Sequence, residues 1–217
     1  MTEPDFLRTT RAGYDAAPAE FAEFFGDLES SPLDRAILAA FAEFVRADGD
    51  GPVVDAGCGA GRVTAHLSGL GLQVSGTDLS PEMIDLARRT HPGLHFDVGS
   101  MTELDLPDNQ LAGIVAWYSI IHIAPEHLDA AFAEFARVLA PGGRLLLAFQ
   151  VGDDPRHLTE AFGRSVSLTF HRLRPDRISE QLRAVGIGIT AQMVREPDHP
   201  GAAQVPQAFV LAQKRPA

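Results

Sequence analysis

Three glycines alternate in "VVDAGCGAGRVT" (residues 53–64), behind an aspartate at the end of an apolar run. Gly57, Gly59 and Gly61 let a backbone turn sharply and approach a ligand closely, because no Cβ stands in the way. A helical pattern begins directly after them, and a helix N-terminus carries N–H groups without helical partners. Such a loop can cradle a pyrophosphate, as in the dinucleotide fingerprint G-x-G-x-x-G. Here the spacing is G-x-G-x-G, and Arg62 stands where the fingerprint needs its last glycine. Asp55 at the strand end also disfavours a phosphate nearby and favours a cation.

A second acid belongs with this loop. The run "LQVSGTD" ends in Asp78, nineteen residues after Gly59. In an open parallel sheet that strand emerges beside the first loop, where a carboxylate can accept both hydroxyls of a ribose. Ser80 and Pro81 already serve as cap and first residue of the following helix, which leaves Asp78 for a ligand.

Groups able to move a proton come later in the chain. "WYSIIHI" places Tyr118 and His122 after another apolar strand, and "SLTFHRLRP" carries His171. An unshifted imidazole has a pKa of about 6.5 and accepts a proton near neutral pH. His122 is the first choice as base, with packing beside a ligand as its other reading, and His171 is kept for substrate contact. Arg164, Arg172 and Arg174 flank His171, as a solvated basic face or as contacts for an anionic substrate. His66, His122 and His127 are scattered, so no metal site is expected.

These residues need a frame to hold them. "SSP" supplies a cap and an N1 proline for a helix with Leu33, Ile37, Leu38, Phe41, Phe44 and Val45 at helical period. "GPVVDAG" reads as a buried strand. Helices over Arg62–Ser68 and Ser80–Thr90 then alternate with strands over Leu72–Thr77, Leu94–Val98 and Leu111–Trp117. A helix over Pro125–Leu139, ended by "PGG", leads into the strand "RLLLAFQ". Alternation of this kind predicts a parallel sheet with helices on both faces. After a helix over Pro175–Val185, "IGITAQMVRE" and "QVPQAFVLAQK" follow with no helix between them. They are joined by a loop containing Pro197, Pro200 and Gly201, and should pair antiparallel at the sheet edge.

Composition sets the outer limits. The 217 residues are 45% hydrophobic, with a formal net charge of −11. An acidic surface repels phosphate backbones and anionic lipid, so neither nucleic acid nor membrane is an expected partner. Cys58 is the only cysteine, which excludes a disulfide framework and fits a reducing, cytoplasmic setting. No signal-like start and no long apolar run is present.

Taken in order, the motifs resemble those of class I S-adenosylmethionine-dependent methyltransferases. "VVDAGCGAGRVT" is similar to their first motif and "VSGTDLSPEMIDLAR" to their ribose-acid motif. "FDVGSMTELDLPDNQLAGIVAWYSIIHI" resembles their adenine loop and fourth strand, and "FARVLAPGGRLLLAFQ" the helix, turn and strand that follow. The resemblance runs from about Tyr14 to Gln213. It implies one doubly wound, Rossmann-like α/β domain over residues 1–217, with a seven-stranded, mostly parallel sheet and an antiparallel edge strand. Residues 1–47 become a helical lid and 151–174 a variable substrate segment.

The resemblance also implies roles by position. Gly57, Gly59 and the loop backbone hold the methionine end of the cofactor, Asp55, Ala56 and Arg62 also belong to the cofactor site, and Asp78 takes the ribose hydroxyls. Leu79 and Met83 pack on the adenine, and Gly99, Ser100 and Met101 meet its edge, with Ser100 standing where the family often has an acid. Ala116 and Trp117 pass near the sulfonium, with Tyr118 also in the cofactor site. "GYDAAPAEFAEF" is similar to the Tyr-x(6)-Tyr/Phe pattern of small-molecule members, which singles out Tyr14 and Phe21. The implied activity is methyl transfer from S-adenosylmethionine to a small molecule, oxygen slightly favoured over nitrogen or carbon, by a monomer or homodimer. A non-catalytic S-adenosylmethionine-binding module and a nicotinamide-dependent oxidoreductase are the alternatives.

Overall fold

A computed structural model describes residues 3–197 and 205–216. Its centre is a seven-stranded sheet. In chain order the strands are β1 (Val53–Ala56), β2 (Val74–Asp78), β3 (His95–Val98), β4 (Leu111–Trp117) and β5 (Leu139–Gln150). A hairpin of β6 (Arg156–Ala161) and β7 (Arg164–Phe170) stands apart, and β8 (Ile187–Arg195) and β9 (Gln207–Lys214) complete the large sheet. Its order is β3-β2-β1-β4-β5-β9-β8. The first five strands are parallel; β9 runs antiparallel to both β5 and β8 and lies between them. The expected antiparallel edge is therefore present, built from two strands. Pro200 and Gly201 of their connecting loop lie outside the described residues.

The chain moves outward from β1 in one direction and returns to β4 on its other side. Strand order reverses there, and the loops at the carboxyl ends of β1 and β4 diverge to leave a crevice. The helices α1 (Asp5–Asp15), α2 (Pro18–Phe25), α3 (Pro32–Ala47), α4 (Arg62–Gly69), α5 (Pro81–Thr90), α6 (Leu128–Val138) and α7 (Pro175–Ala184) surround the sheet. One face buries Ile114, Leu145, Leu147 and Phe149 with Phe132 and Phe135 of α6. The other buries Val53, Val115 and Leu146 with Leu38, Phe41 and Val45 of α3.

Several local expectations need correction. Ser80 caps α5, its Oγ accepting the Met83 N–H at 3.1 Å, but Ser31 makes no such bond at the start of α3. The helix expected over Pro125–Leu139 begins with a 3-10 turn at Pro125–His127 and stops at Val138. Leu139 already pairs with Leu111, and the Pro141-Gly142-Gly143 run forms an irregularity inside β5, with Gly142 at φ +83°. Pro141 has no N–H to give a ladder, so pairing resumes only at Arg144. Of the segment 1–47, α1 and α2 lie over the crevice. α3 is mainly a layer of the core.

The hairpin β6–β7 was not foreseen in the segment 151–174. Its turn, Phe162-Gly163, has φ of +51° and +72°, the signature of a tight two-residue reversal. α1 packs on β7 so closely that a Cβ on Gly13 would lie 2.5 Å from Leu168.

Candidate active site

The crevice is a cavity of about 1360 Å³, floored by the loops after β1, β2 and β4 and roofed by α1, α2 and the hairpin. A single small-molecule site usually measures roughly 300–1,000 Å³, so this one has room for two ligands.

The glycine loop forms one wall. The Gly57 N–H donates to Thr77 O at 2.7 Å, tying the loop to β2. Gly57 has φ +80°, and a Cβ there would collide with the Ser119 side chain. Gly59, at φ +54°, faces open space, with no atom within 4 Å of a Cβ built on it. Gly57 is thus required by packing, while Gly59 borders open space in the cavity.

Asp78 stands across that gap. Its Oδ2 accepts the Gly59 N–H at 2.7 Å and its Oδ1 the Ser80 N–H at 2.9 Å. Burial raises its pKa, and these two bonds work against the shift. Each carboxylate oxygen keeps further acceptor capacity. Asp55 is buried at 1% exposure. Thr64 Oγ1 donates to its Oδ2 at 2.7 Å, but its Oδ1 has no partner. Burial pushes this carboxyl up to about 7, despite the Thr64 bond and the nearby Arg62. An unpaired buried oxygen of this kind calls for a donor from outside the chain.

Leu79, Met83, Gly99, Ser100 and Met101 line the same wall. The Ser100 hydroxyl is engaged with Thr102 Oγ1 at 2.7 Å, so its backbone is what remains for a ligand edge. Ala56 and Ala116 are fully buried beneath the cavity and do not line it. The strand end above them is strained: Tyr118 has φ +56°, unusual for a bulky residue. Tyr118, Trp117 and Arg62 all reach the cavity.

From the roof, the Tyr14 hydroxyl lies 2.7 Å from Nε2 of His122, and Nδ1 of His122 lies 3.0 Å from Thr169 O. The carbonyl only accepts, so Nδ1 carries the proton and Tyr14 donates to Nε2. Burial takes the His122 imidazole down to about 4, the Thr169 bond opposing and nearby His171 adding to the fall. Burial likewise raises the Tyr14 phenol. His171 is outside the cavity wall; its backbone N–H donates to Ile121 O at 2.7 Å.

The structure adds residues that no motif pointed to. Asp34 of α3 pairs with Arg195 of β8 at 3.1 Å, and both line the cavity. Gln150 and Gln207 face each other across β5 and β9 beside them. A glutamine ending the run "LLLAF" was the one available signal. Phe162 meets the motif residue Phe21 edge to face at 5.0 Å, and Phe170 packs on His122 at 4.8 Å.

Residues 53–143 match a family model described as a methyltransferase domain. An O-methyltransferase of Penicillium expansum is 31% identical over 148 residues, 65% of this chain and 50% of that protein. The chain spans about half the length of the curated relatives it matches. A Burkholderia thailandensis 1,6-didemethyltoxoflavin-N1-methyltransferase, solved with 1,6-didemethyltoxoflavin and S-adenosylhomocysteine, shares the fold at TM-score 0.70. It is 21% identical, over 99% of this chain and 92% of that one. The [4+2]-cyclase SpnF shares it at 0.74 with 18% identity, over 100% and 99%. With its glycine loop, its two strand-end acids and this order of strands, the chain resembles the class I S-adenosylmethionine-dependent methyltransferases and shares their fold.

Proposed function

We propose that this chain transfers a methyl group from S-adenosylmethionine to a small-molecule acceptor, oxygen favoured. The observation that carries the reading is the cradle between Gly59, Asp55 and Asp78. Open space at Gly59 lies beside the Asp78 carboxylate, and Asp55, with one carboxylate oxygen unpaired, lines the same cavity. Those features suit a ligand with an ammonium group at one end and a ribose in the middle. Asp55 meets the ammonium, Asp78 the ribose, and Leu79, Met83 and the Gly99–Met101 backbone the adenine. S-adenosylmethionine supplies an electrophilic methyl that needs no further activation.

What remains for the protein is alignment, exclusion of water and disposal of a proton. α1, α2 and the hairpin close the roof with Tyr14, Phe21 and Phe162. For a hydroxyl acceptor, the Tyr14 oxygen receives the proton as Tyr14 passes its own to His122 Nε2. That relay uses His122 as a neutral acceptor and gives Tyr14 the direct contact.

The fold alone does not fix the activity, since SpnF shares it as a cyclase. Calorimetric titration with S-adenosylmethionine, S-adenosylhomocysteine and NAD, followed by a metabolite screen with methyl-labelled donor, tests the reading. Binding of the first two but not NAD, with label in a small product, is expected. NAD binding without S-adenosylmethionine binding would overturn the proposal, and donor binding without labelled product would leave a binding module.

A further inference from the structure

We infer that the acceptor is a small acid with an apolar body. Its oxyanion is held by the Arg172 guanidinium and the Trp117 indole N–H, on the β4–β5 side of the cavity. The inference rests on the methyl-transfer reading and assigns the substrate class of the same site.

The buried polar atoms left unpaired around the cavity divide by sign. On the glycine-loop side the unpaired atom is an acceptor, Asp55 Oδ1. On the other side the unpaired atoms are donors, Trp117 Nε1 and Arg172 Nε. One end therefore seeks a donor or cation and the other an anion. Leaving such donors buried and unmet is costly, and hydrogen bonds to a charged partner are the strong ones.

Among the described residues, none of the other cations on the wall has a buried nitrogen left unpaired. Arg195 pairs with Asp34 at 3.1 Å and lies 5.6 Å over the Phe209 ring. Arg62 opens α4 beside the glycine loop, and Arg156 is on an exposed hairpin strand. Among the arginines flanking His171, Arg164 bonds Ala16 O and Glu20, and Arg174 pairs with Asp153 and Asp176 at the surface. No carboxylate of the described residues pairs with Arg172.

Arg172 is also held in place. The Leu173 N–H donates to Gln150 O at 2.8 Å, and the Arg172 side chain packs against Gly152, where a Cβ would lie 3.0 Å from it. That places the Arg172 backbone and side-chain stem beside the end of β5, two strands from β1. An oxyanion bound there has its lone pairs engaged and its charge balanced, so it anchors rather than accepts the methyl. The accepting atom belongs at the Tyr14–His122 pair, and the Phe21, Phe162 and Phe170 rings suit a flat apolar body between the two ends.

Trp117 is the only tryptophan, so its emission reports directly on this end. Protein saturated with S-adenosylhomocysteine is titrated with benzoate, phenylacetate, phenylpropionate and para-coumarate, and with their neutral amides, by fluorescence and calorimetry. The acids are expected to shift Trp117 emission saturably and to bind at least about tenfold tighter than the amides, the size of one charge-assisted hydrogen bond. Arg172→Gln should abolish that preference while S-adenosylhomocysteine binding persists; the exposed Arg174→Gln should preserve it. If Arg172→Gln fails to fold, Arg172→Lys should give a reduced preference. Equal binding of acids and amides, no binding of any acid, or a preference surviving loss of Arg172 would overturn the inference. Displacement of the acids by S-adenosylhomocysteine would overturn it too, since they would then occupy the cofactor's place. A protein that binds no S-adenosylhomocysteine would refute the methyl-transfer reading itself.

Discussion

The phenol of Tyr14 and Nε2 of His122, 108 residues apart in the chain, meet at 2.7 Å over the crevice. Tyr14→Phe removes the donor and leaves the Nε2 lone pair buried and unmet. The expected outcome is a kcat reduced roughly 10²-fold with a hydroxyl acceptor, within the range for a positioned proton acceptor, and unchanged S-adenosylhomocysteine affinity. Because burial lowers His122 to about 4, the wild-type pH–rate profile should be flat where an unshifted imidazole, at about 6.5, titrates. An inflection near that value that disappears in His122→Ala would refute the assignment.

Asp55 supplies a test by stability. Burial raises its carboxyl to about 7, against about 3.9 in an unfolded chain. Between those values the folded protein keeps a proton that the unfolded chain has released. Its contribution is therefore fully present at low pH and is lost as pH rises through about 7, by at most on the order of 4 kcal/mol. Asp55→Asn cannot ionise and can still accept from Thr64. In urea melts without ligand it should gain on the wild type at about pH 8 and not at about pH 4, by the same linkage. Its S-adenosylmethionine affinity should fall, since no charge is left to meet the ammonium. Parallel pH dependence in the two proteins would show that Asp55 is not the group responsible.

Two glycines of one loop should respond oppositely to alanine. Gly57→Ala meets Ser119 and should lower the melting temperature sharply. Gly59→Ala meets no protein atom and bears only the left-handed backbone penalty, about 1–2 kcal/mol. Its fold should survive while S-adenosylhomocysteine binding collapses in calorimetry. Normal binding by Gly59→Ala would move the ligand off this loop.

Asp78→Asn should lose cofactor affinity by roughly 1.5–3 kcal/mol, the value of a charged hydrogen bond. Stability should fall as well, because the same carboxylate tethers the N–H groups of Gly59 and Ser80. A role confined to the tether would lower the melting temperature and leave the titration unchanged.

How much of this was legible depended on distance along the chain. β4 spans Leu111–Trp117 and α5 spans Pro81–Thr90 as read from the sequence, because apolar runs and caps are local signals. The glycine loop and Asp78 are likewise carried by contiguous motifs. Asp34–Arg195 spans 161 residues and has no local mark, and nothing in "WYSIIHI" shows that burial will depress His122. The hairpin left a trace that was passed over, the alternation of Val166, Leu168 and Phe170 behind a Phe-Gly turn. The three arginines around His171 looked equivalent because sequence does not reveal which has acids beside it.

β9 lies between β5 and β8, so the last strand described is needed by two that precede it. While the chain is being made, β5 carries an unpaired edge until residues 207–214 have emerged. That interval leaves backbone donors and acceptors open beside an apolar core, the condition under which nascent chains pair with one another. Chaperone demand should thus concentrate late in translation. A chain ending before Gln207 would not have a slightly smaller sheet; it would have two open edges where β9 closes both.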